Sequence, residues 1–295
     1  MSKIQKLILG TVQFGLDYGV NNKIGKPDKK AVTSIFLQAY DAGIRTLDTA
    51  EAYGNAHAII GQFHLEHPDQ KFQIITKLPH DVTGSIVYKV DEYLSELHVD
   101  VLDILMFHSF TTYYQNATVI DEMMMLKLNG KIKFLGVSIY TNDELLKVIE
   151  DDRIDVIQLP FNLFDNFNKR GSLLKLAKEK GKIIHSRSAF LQGLFFKDLH
   201  TLDRLTLYCE TELKMLKKIA TNSNISVASL ALNYVLGQND IDQVLIGVDS
   251  EDQLHQNILV TDHALEDHVI NLINQINIKN EDVLNPSKWN QLKQS

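Results

Sequence analysis

The chain has 295 residues, of which 44% are hydrophobic and 23% charged, a composition typical of a globular protein that buries a large core. Its formal net charge of −7 argues against a nucleic-acid or anionic-membrane partner, and no apolar run approaches the roughly 18 residues of a membrane span. The one cysteine, Cys209, rules out an internal disulfide, and the first ten residues interleave charged and apolar residues, unlike a signal peptide. We therefore expect a cytoplasmic protein, with residues 1–295 forming one domain and the chain a monomer or a weak homo-oligomer.

Short apolar segments alternate with helical segments along the whole chain. We predict strands at residues 6–11, 46–48, 72–77, 101–108, 132–138, 156–159, 183–186 and 243–246. We predict helices at residues 33–42, 58–65, 85–97, 119–128, 143–149, 173–180, 227–236, 254–260 and 267–276, with a longer loop and helix over 190–221. Eight strands that alternate with helices favour an α/β fold, a single parallel (β/α)8 TIM barrel whose active site lies at the C-terminal ends of the strands.

The residues at the ends of these strands are suited to chemistry. In chain order they are Thr11, Asp48, Lys77, His108, Ser138, Gln158, Ser186 and Gly247. A polar strand end often marks only the point where the chain leaves the core, and this explains Thr11 or Ser138 well. It explains Lys77 and His108 less well, because a charged group is rarely buried without a partner.

Four of the candidate groups suit proton donation. The segment RTLDTAEAYG at 45–54 places the carboxylate of Asp48 at a strand end and the phenol of Tyr53 five residues later. A phenol has an ordinary pKa of roughly 10, and the ammonium of Lys77, held by Asp48, is expected to lower the pKa of Tyr53. The imidazole of His108 can orient a carbonyl oxygen. This set can protonate a carbonyl that receives a hydride, and because no side chain carries a hydride the chemistry requires a nicotinamide cofactor.

The motifs resemble those of the aldo-keto reductases over essentially the whole chain. The resemblance rests on LDTAEAYG, TKL, LGT, GVS, QLPFN (with Gln158 and Asn162), the strand-end His108 and the segment IGVDSEDQLHQN at 246–257. It implies NAD(P)H-dependent reduction of an aldehyde or ketone to an alcohol, with NADP(H) or NAD(H) as cofactor. The implied catalytic residues are Asp48, Tyr53, Lys77 and His108. The implied cofactor-binding residues are Thr11, Ser138, Gln158, Arg187, Ser188, Gly247, Ser250, Gln253 and Asn257, with Ser138 and Gln158 at the nicotinamide carboxamide and Asn257 at the adenine.

Two features depart from the family pattern. Arg187 stands where many members place an aromatic ring against the nicotinamide. We expect its guanidinium to stack there, to bind an anionic substrate or to form an ion pair at the barrel rim. The segment 247–278 contains no Lys or Arg, although NADP-preferring members usually carry cations there, and Asp249 is one of its acidic residues. We therefore expect NADH to be usable and NADPH to be favoured by less than ~10-fold, if at all, unless Lys197 folds over the site.

Other functions and sites remain open at this stage. A metal-dependent barrel hydrolase could use Asp48, His108 and His185, and a catalytically silent barrel could bind nucleotide as a redox sensor. His64 and His67 have the spacing of metal ligands but no third ligand fixed nearby, so we predict no metal site.

The substrate is expected to be a small carbonyl compound. The loops expected to select it are 13–27, 109–117, which includes Tyr113 and Tyr114, and 190–207. The N-terminal LGTVQFGLDYGV resembles members associated with bacterial surface-sugar pathways, which implies a sugar-like carbonyl substrate.

Overall fold

Eight parallel strands in the described part of the chain form a closed barrel. The computed structural model describes residues 2–19, 25–199 and 203–294. The strands are β1 Leu7–Gly10, β2 Thr46–Asp48, β3 Gln73–Leu78, β4 Leu102–Phe107, β5 Ile132–Ser138, β6 Val156–Pro160, β7 Ile183–Arg187 and β8 Gln243–Gly247. Each strand pairs in parallel with the next, and β8 pairs with β1 to close the barrel. The predicted (β/α)8 barrel is confirmed.

Helices follow the strands around the outside of the barrel. They are α1 Val12–Gly15, α2 Lys29–Ala42, α3 Ala56–Glu66, α4 Ile86–Leu97, α5 Phe110–Gln115, α6 Ala117–Leu128, α7 Asn142–Ile149, α8 Phe167–Glu179, α9 Arg204–Leu207, α10 Glu210–Asn222, α11 Val227–Leu236, α12 Glu251–Leu259, α13 Asp267–Asn274 and α14 Trp289–Gln294. Short 3₁₀ segments cover Ile4–Lys6, Pro68–Gln70, Leu191–Phe196, Glu281–Leu284 and Pro286–Lys288. In the described residues, no helix combines the length and the apolar character needed to cross a membrane.

Two apolar layers hold the barrel together. The interior is filled by Ile8, Ile75, Ile104, Met106 and Val156, which lie on alternate positions of their strands. A larger core packs the opposite strand faces against the surrounding helices. Because side chains alternate between these two faces, the last interior position of each strand lies at the barrel mouth, and this is where the candidate catalytic groups stand.

Several predicted boundaries were wrong for local reasons. The predicted loop at 109–117 contains α5, which Ser109 caps by accepting a hydrogen bond from the Thr112 amide at 3.1 Å. Helix α8 begins six residues before the predicted start, because the Asn166 side chain caps a polar first turn that shows no apolar periodicity. The C-terminal tail, predicted without elements, ends in α14, where the Trp289 indole is buried and donates to the Val283 carbonyl. Within the predicted loop 13–27, residues 20–24 lie outside the described residues, as do residues 200–202 of the loop 190–207.

Candidate active site

A buried ion pair lies at the ends of β2 and β3. Asp48 and Lys77 are 2% and 1% exposed, and the Lys77 ammonium donates to Asp48 Oδ1 and to the Thr49 carbonyl at 3.0 Å. Burial lowers the pKa of Lys77, and Asp48 opposes that shift through its charge and its hydrogen bond. The structure thus brings together the carboxylate and the ammonium that the sequence placed at neighbouring strand ends.

The second oxygen of the Asp48 carboxylate is held from the opposite side of the barrel. Gln158 Nε2, on β6, donates to Asp48 Oδ2 at 2.8 Å. Just after β1, the amide and the hydroxyl of Thr11 both donate to the Asp48 backbone carbonyl at 3.0 Å. Asp48 is therefore fixed through both carboxylate oxygens and its main chain, and it can orient Lys77 without moving.

Tyr53 projects over this ion pair from the turn that follows β2. Its ring centroid lies 5.3 Å from Lys77 Nζ. The Tyr53 and His108 rings pack edge to face, with 5.6 Å between their centroids. The main chain of Gly15, the last residue of α1, packs so closely on Tyr53 that a Cβ at Gly15 would overlap the Tyr53 carbonyl oxygen. Tyr53, Lys77 and His108 therefore share one side of the barrel mouth.

The expectation that Lys77 lowers the pKa of Tyr53 was wrong. Burial raises the pKa of Tyr53 well above its ordinary value, and the Asp48 carboxylate raises it further. The charge of Arg187 opposes this rise. The Tyr53 phenol therefore keeps its proton at neutral pH.

The turn that carries Tyr53 is tied to the outer helix α4. The Glu51 carboxylate accepts hydrogen bonds from Lys89 Nζ at 2.8 and 3.0 Å and from the Tyr93 hydroxyl. The Glu51 amide donates to the Lys77 carbonyl at 3.3 Å. Burial acts to raise the pKa of Glu51, but the bonds from Lys89 and Tyr93 outweigh it and hold that pKa below its ordinary value. An ionised Glu51 thus fixes the turn between α4 and β3.

His108 follows β4 as a neutral imidazole. Its ring stacks on His80 at 4.7 Å, and its Nδ1 atom is buried without a hydrogen-bond partner. Burial, with the nearby charge of Lys77 next in size, lowers the pKa of His108 to about 3. A neutral ring with an unpartnered nitrogen can bind a further polar atom at the barrel mouth.

The strand ends on the far side carry Ser138, Arg187 and Ser188. Ser138 ends β5 and is buried. Arg187 ends β7, stacks on the Tyr140 ring at 4.1 Å and donates from Nη2 to the Ile139 carbonyl at 2.9 Å. Ser188 has a left-handed backbone, with φ of 61°, which turns the chain sharply into the 3₁₀ segment at 191–196. Tyr140 was not predicted to belong to the site, because the sequence indicates this only through its position two residues beyond β5.

The segment after β8 contains the start of α12. The Ser250 hydroxyl accepts from the Gln253 amide at 3.2 Å, and Gln253 Oε1 accepts from the Asp249 amide at 2.9 Å. Gly247 lies against the side chain of Gln13, and Asn257 is buried further along α12. Ser250 and Gln253 therefore cap the helix and hold its first turn in place.

Two buried side-chain atoms without partners fit a nicotinamide dinucleotide. Asn162 accepts from the Phe164 and Asp165 amides through Oδ1, while its Nδ2 donor is buried and unpartnered four residues after Gln158. Asp249 Oδ1, beside the start of α12, is also buried without a partner, and burial raises the pKa of this carboxyl group. An unused donor near the predicted carboxamide site suits an amide, and an unused acceptor near the adenosine segment suits a ribose hydroxyl better than a phosphate.

The alternative metal site lacks its ligands. In the described ranges no three His, Cys, Asp or Glu side chains are grouped to hold a metal ion, and both Asp48 oxygens are already engaged. His185 is buried in the barrel, with its Nδ1 atom unpartnered. His64 uses both ring nitrogens, at 2.7 Å from the Leu97 carbonyl and at 3.1 Å from the Phe72 amide. Both ring nitrogens of His64 are thus engaged with the main chain.

In the loop 109–117, Phe110 packs against both Tyr113 and Tyr114. The Tyr113 hydroxyl donates at 2.8 Å to Asp151, which lies between α7 and β6 on the face of the barrel opposite the strand ends. Tyr18 and Gln192, by contrast, are hydrogen-bonded to each other and join the loop after β1 to the loop after β7. Those two loops, which the sequence named as substrate-selecting, are in contact beside the site.

Comparisons with known proteins agree with the geometry. Residues 6–278 match the model of the Aldo/keto reductase family. The chain is 24% identical over 285 residues to an NADH-specific methylglyoxal reductase of Escherichia coli (strain K12), which covers 82% of this chain and 86% of the relative. It is 26% identical over 245 residues to an L-galactose dehydrogenase of Arabidopsis thaliana, covering 75% of each chain. The fold is similar to that of an aldo-keto reductase from Bacillus halodurans in its holo form, with a TM-score of 0.76 and 21% identity over 92% of this chain and 91% of the other.

Proposed function

Because the chain belongs to the aldo/keto reductase family and is an NAD(P)H-dependent oxidoreductase that reduces carbonyl groups, we propose that Asp48, Tyr53, Lys77 and His108 are its catalytic residues. The observation that carries this assignment is the buried Asp48–Lys77 ion pair, with the Tyr53 ring 5.3 Å from the ammonium and His108 edge-on to Tyr53. A buried ion pair adds little to stability by itself, so its place beneath a phenol and an imidazole favours a functional role.

In this proposal Tyr53 donates the proton. A nicotinamide held at the proposed cofactor-binding residues would supply a hydride for the carbonyl carbon. The carbonyl oxygen then gains negative charge, and the Tyr53 hydroxyl, whose raised pKa keeps it protonated, donates a proton to it. His108, held neutral, orients the same oxygen through a ring nitrogen, while Lys77 provides positive charge beside the developing phenolate and Asp48 fixes Lys77.

Replacing the Tyr53 hydroxyl tests this assignment. Tyr53→Phe should lower the rate of aldehyde reduction by roughly 100- to 10,000-fold, the usual contribution of a general acid, with NADH affinity within a few-fold. Tyr88→Phe is the matched control, because Tyr88 is 77% exposed. The rate is followed by loss of NADH absorbance with 4-nitrobenzaldehyde, and affinity by quenching of cofactor fluorescence. A Tyr53→Phe enzyme that keeps more than a tenth of the rate would remove Tyr53 from this role, and a wild-type protein that binds cofactor without turnover would favour the sensor alternative.

The proposed cofactor-binding residues are Thr11, Ser138, Gln158, Ser188, Gly247, Ser250, Gln253 and Asn257; the role of Arg187 is argued below. The buried, unpartnered oxygen of Asp249 supports use of NADH, because a 2′-phosphate would meet a carboxylate there. Lys197, the cation that could have reversed this expectation, is paired with Asp203 at 3.0 Å. The NADH-specific methylglyoxal reductase among the relatives also supports it.

The finer substrate class proposed is a sugar-like carbonyl. The support is the N-terminal motif and the relative that is an L-galactose dehydrogenase. A single domain over residues 1–295, a monomeric or weakly oligomeric state and a cytoplasmic location remain predictions from the sequence.

A further inference from the structure

Arg187 points into the barrel mouth. Ile183, His185 and Arg187 occupy alternate positions of β7, and Ile183 packs with the residues that fill the barrel interior. Arg187 therefore lies on the interior face at the last position of its strand. The catalytic groups stand at the equivalent ends of β2, β3 and β4, so the guanidinium and the proton donor share one opening.

The Arg187 guanidinium is a cation without a carboxylate partner among the described residues. In the described residues it forms no ion pair with Asp or Glu, and the undescribed positions contain neither residue type. The buried cations Lys77 and Arg170 are each paired with a carboxylate, at Asp48 and at Asp165. Because Asp48 is neutralised by Lys77 and His108 is uncharged, Arg187 leaves the mouth with an excess of one positive charge. Its field reaches the site, since Arg187 is among the causes that shift the pKa of His108 and of Tyr53.

The position of Arg187 is fixed before any ligand arrives. Its guanidinium lies flat on Tyr140 at 4.1 Å and is bonded to the Ile139 carbonyl at 2.9 Å. The segment that carries these partners is itself held by Arg170, which donates to the Tyr140 carbonyl at 2.5 Å. A cation that is already ordered loses little conformational entropy when it binds an anion. Its contact with Ile139 uses one Nη2 hydrogen, and guanidinium carries five donors in all.

We propose that Arg187 binds an anionic group of the substrate, so that the preferred carbonyl compounds carry a carboxylate or another oxyanion. This inference rests on the proposed reduction at Tyr53 and names the substrate class for that same site. A half-buried guanidinium without a carboxylate is costly to keep in the free protein, and an oxyanion that pairs with it through two parallel hydrogen bonds offsets that cost. The competing role is contact with the cofactor, in which case loss of Arg187 would weaken NADH binding instead.

Matched pairs of aldehydes separate these roles. The probes are 4-carboxybenzaldehyde with its neutral methyl ester, and succinic semialdehyde with its neutral methyl ester. We expect the wild-type enzyme to prefer the anionic member of at least one pair in kcat/KM by about 10- to 100-fold, the range of one charge-assisted contact. Arg187→Met should abolish this preference by lowering kcat/KM for the anion alone, with the dissociation constant for NADH within threefold. Arg187→Lys, which keeps the charge without the planar fork, should retain part of the preference.

Arg45→Met is the control, because Arg45 also stacks on a tyrosine, Tyr40, at 4.0 Å, but is exposed just before β2, at the end of the barrel opposite the site. It should leave every value unchanged. The inference is overturned if wild type reduces both members of each pair equally, or if Arg187→Met lowers both equally or weakens NADH binding more than tenfold. Those results would leave the proposed reduction intact. Failure of the wild-type enzyme to reduce any of the four probes with either cofactor would instead overturn the proposed function, and the inference with it.

Discussion

Glu51 touches no predicted cofactor or carbonyl position, yet its removal should slow the reaction. We expect Glu51→Gln to lower kcat about tenfold while the dissociation constant for NADH stays within twofold. The reason is that Glu51 connects the turn bearing Tyr53 to α4 through Lys89 and Tyr93, and to β3 through the Lys77 carbonyl. A glutamine keeps the volume of the side chain but loses the charge that holds Lys89.

The size of the effect follows from the contacts. Hydrogen bonds to a charged group contribute roughly 1.5–3 kcal/mol when buried, but the Glu51 side chain is 36% exposed, so solvent screening reduces the total to about 1–2 kcal/mol. If the turn loses that much of its preference for the catalytic position, the barrier rises by a similar amount, and about 1.4 kcal/mol corresponds to a factor of ten in rate.

The assay compares four proteins: wild type, Glu51→Gln, Tyr53→Phe and the double variant. Because Glu51 acts only through the placement of Tyr53, adding Glu51→Gln to Tyr53→Phe should produce little further loss of kcat. Glu210→Gln, which removes the charge of a surface pair with Lys214, is the control for a general effect on folding. Multiplicative losses in the double variant, or an unchanged kcat in Glu51→Gln at equal stability, would refute the positioning role.

Three further predictions concern stability, packing and cofactor choice. Burial is the main cause that lowers the pKa of His57 and of His185 to about 4, and the pKa of His108 to about 3. As the pH falls from 6.5 toward 4, the unfolded chain therefore binds more protons than the folded protein does. The melting temperature should fall with pH in that window, and an increase would contradict the neutral state of these rings. Gly15→Ala should lower both activity and melting temperature, because the added Cβ would overlap the Tyr53 carbonyl. The control is Gly237→Ala, whose Cβ would have its nearest contact at 3.1 Å, and it should lower the melting temperature less and leave kcat unchanged. Equal effects of the two substitutions would count against the Gly15 contact. Fluorescence titrations at low and high salt should show NADPH favoured over NADH by less than ~10-fold, and Asp249→Asn should shift the ratio toward NADPH; a preference for NADPH above a hundredfold that collapses with salt would show that a cation binds the 2′-phosphate.

The barrel could be predicted from the sequence because its strands and most of its helices each have a local pattern of apolar and polar residues. The strand boundaries were predicted to within two residues, since each apolar run stops at a polar residue or a glycine. Helix α5 was missed because FTTYYQ is rich in residues with little helical propensity, and its cap at Ser109 outweighs that preference. The start of α8 was missed because its first turn contains few apolar residues and so shows no helical periodicity.

The sequence predicted which strand ends lie together at the candidate site, but not all the contacts among them. The nearness of Asp48 and Lys77 follows from adjacent parallel strands, whose ends meet at one edge. The bond from Gln158 to Asp48 crosses the barrel interior, and no local spacing reports which residues face each other there. The pKa of Tyr53 was predicted in the wrong direction because it depends mainly on burial, which is a property of the closed fold.

The hydrogen bond between Asp48 and Gln158 joins positions 110 residues apart, and the pairing of β1 with β8 joins the two ends of the sheet. Contacts between residues so far apart in sequence form late, because the long intervening chain must lose conformational entropy before these contacts can stabilise the fold. After dilution from denaturant, local helices can therefore return while Asp48 still lacks the partner that fixes it. Recovery of catalytic activity should lag behind recovery of the helical circular dichroism signal, and the delay between the two measures the time that the sheet takes to close.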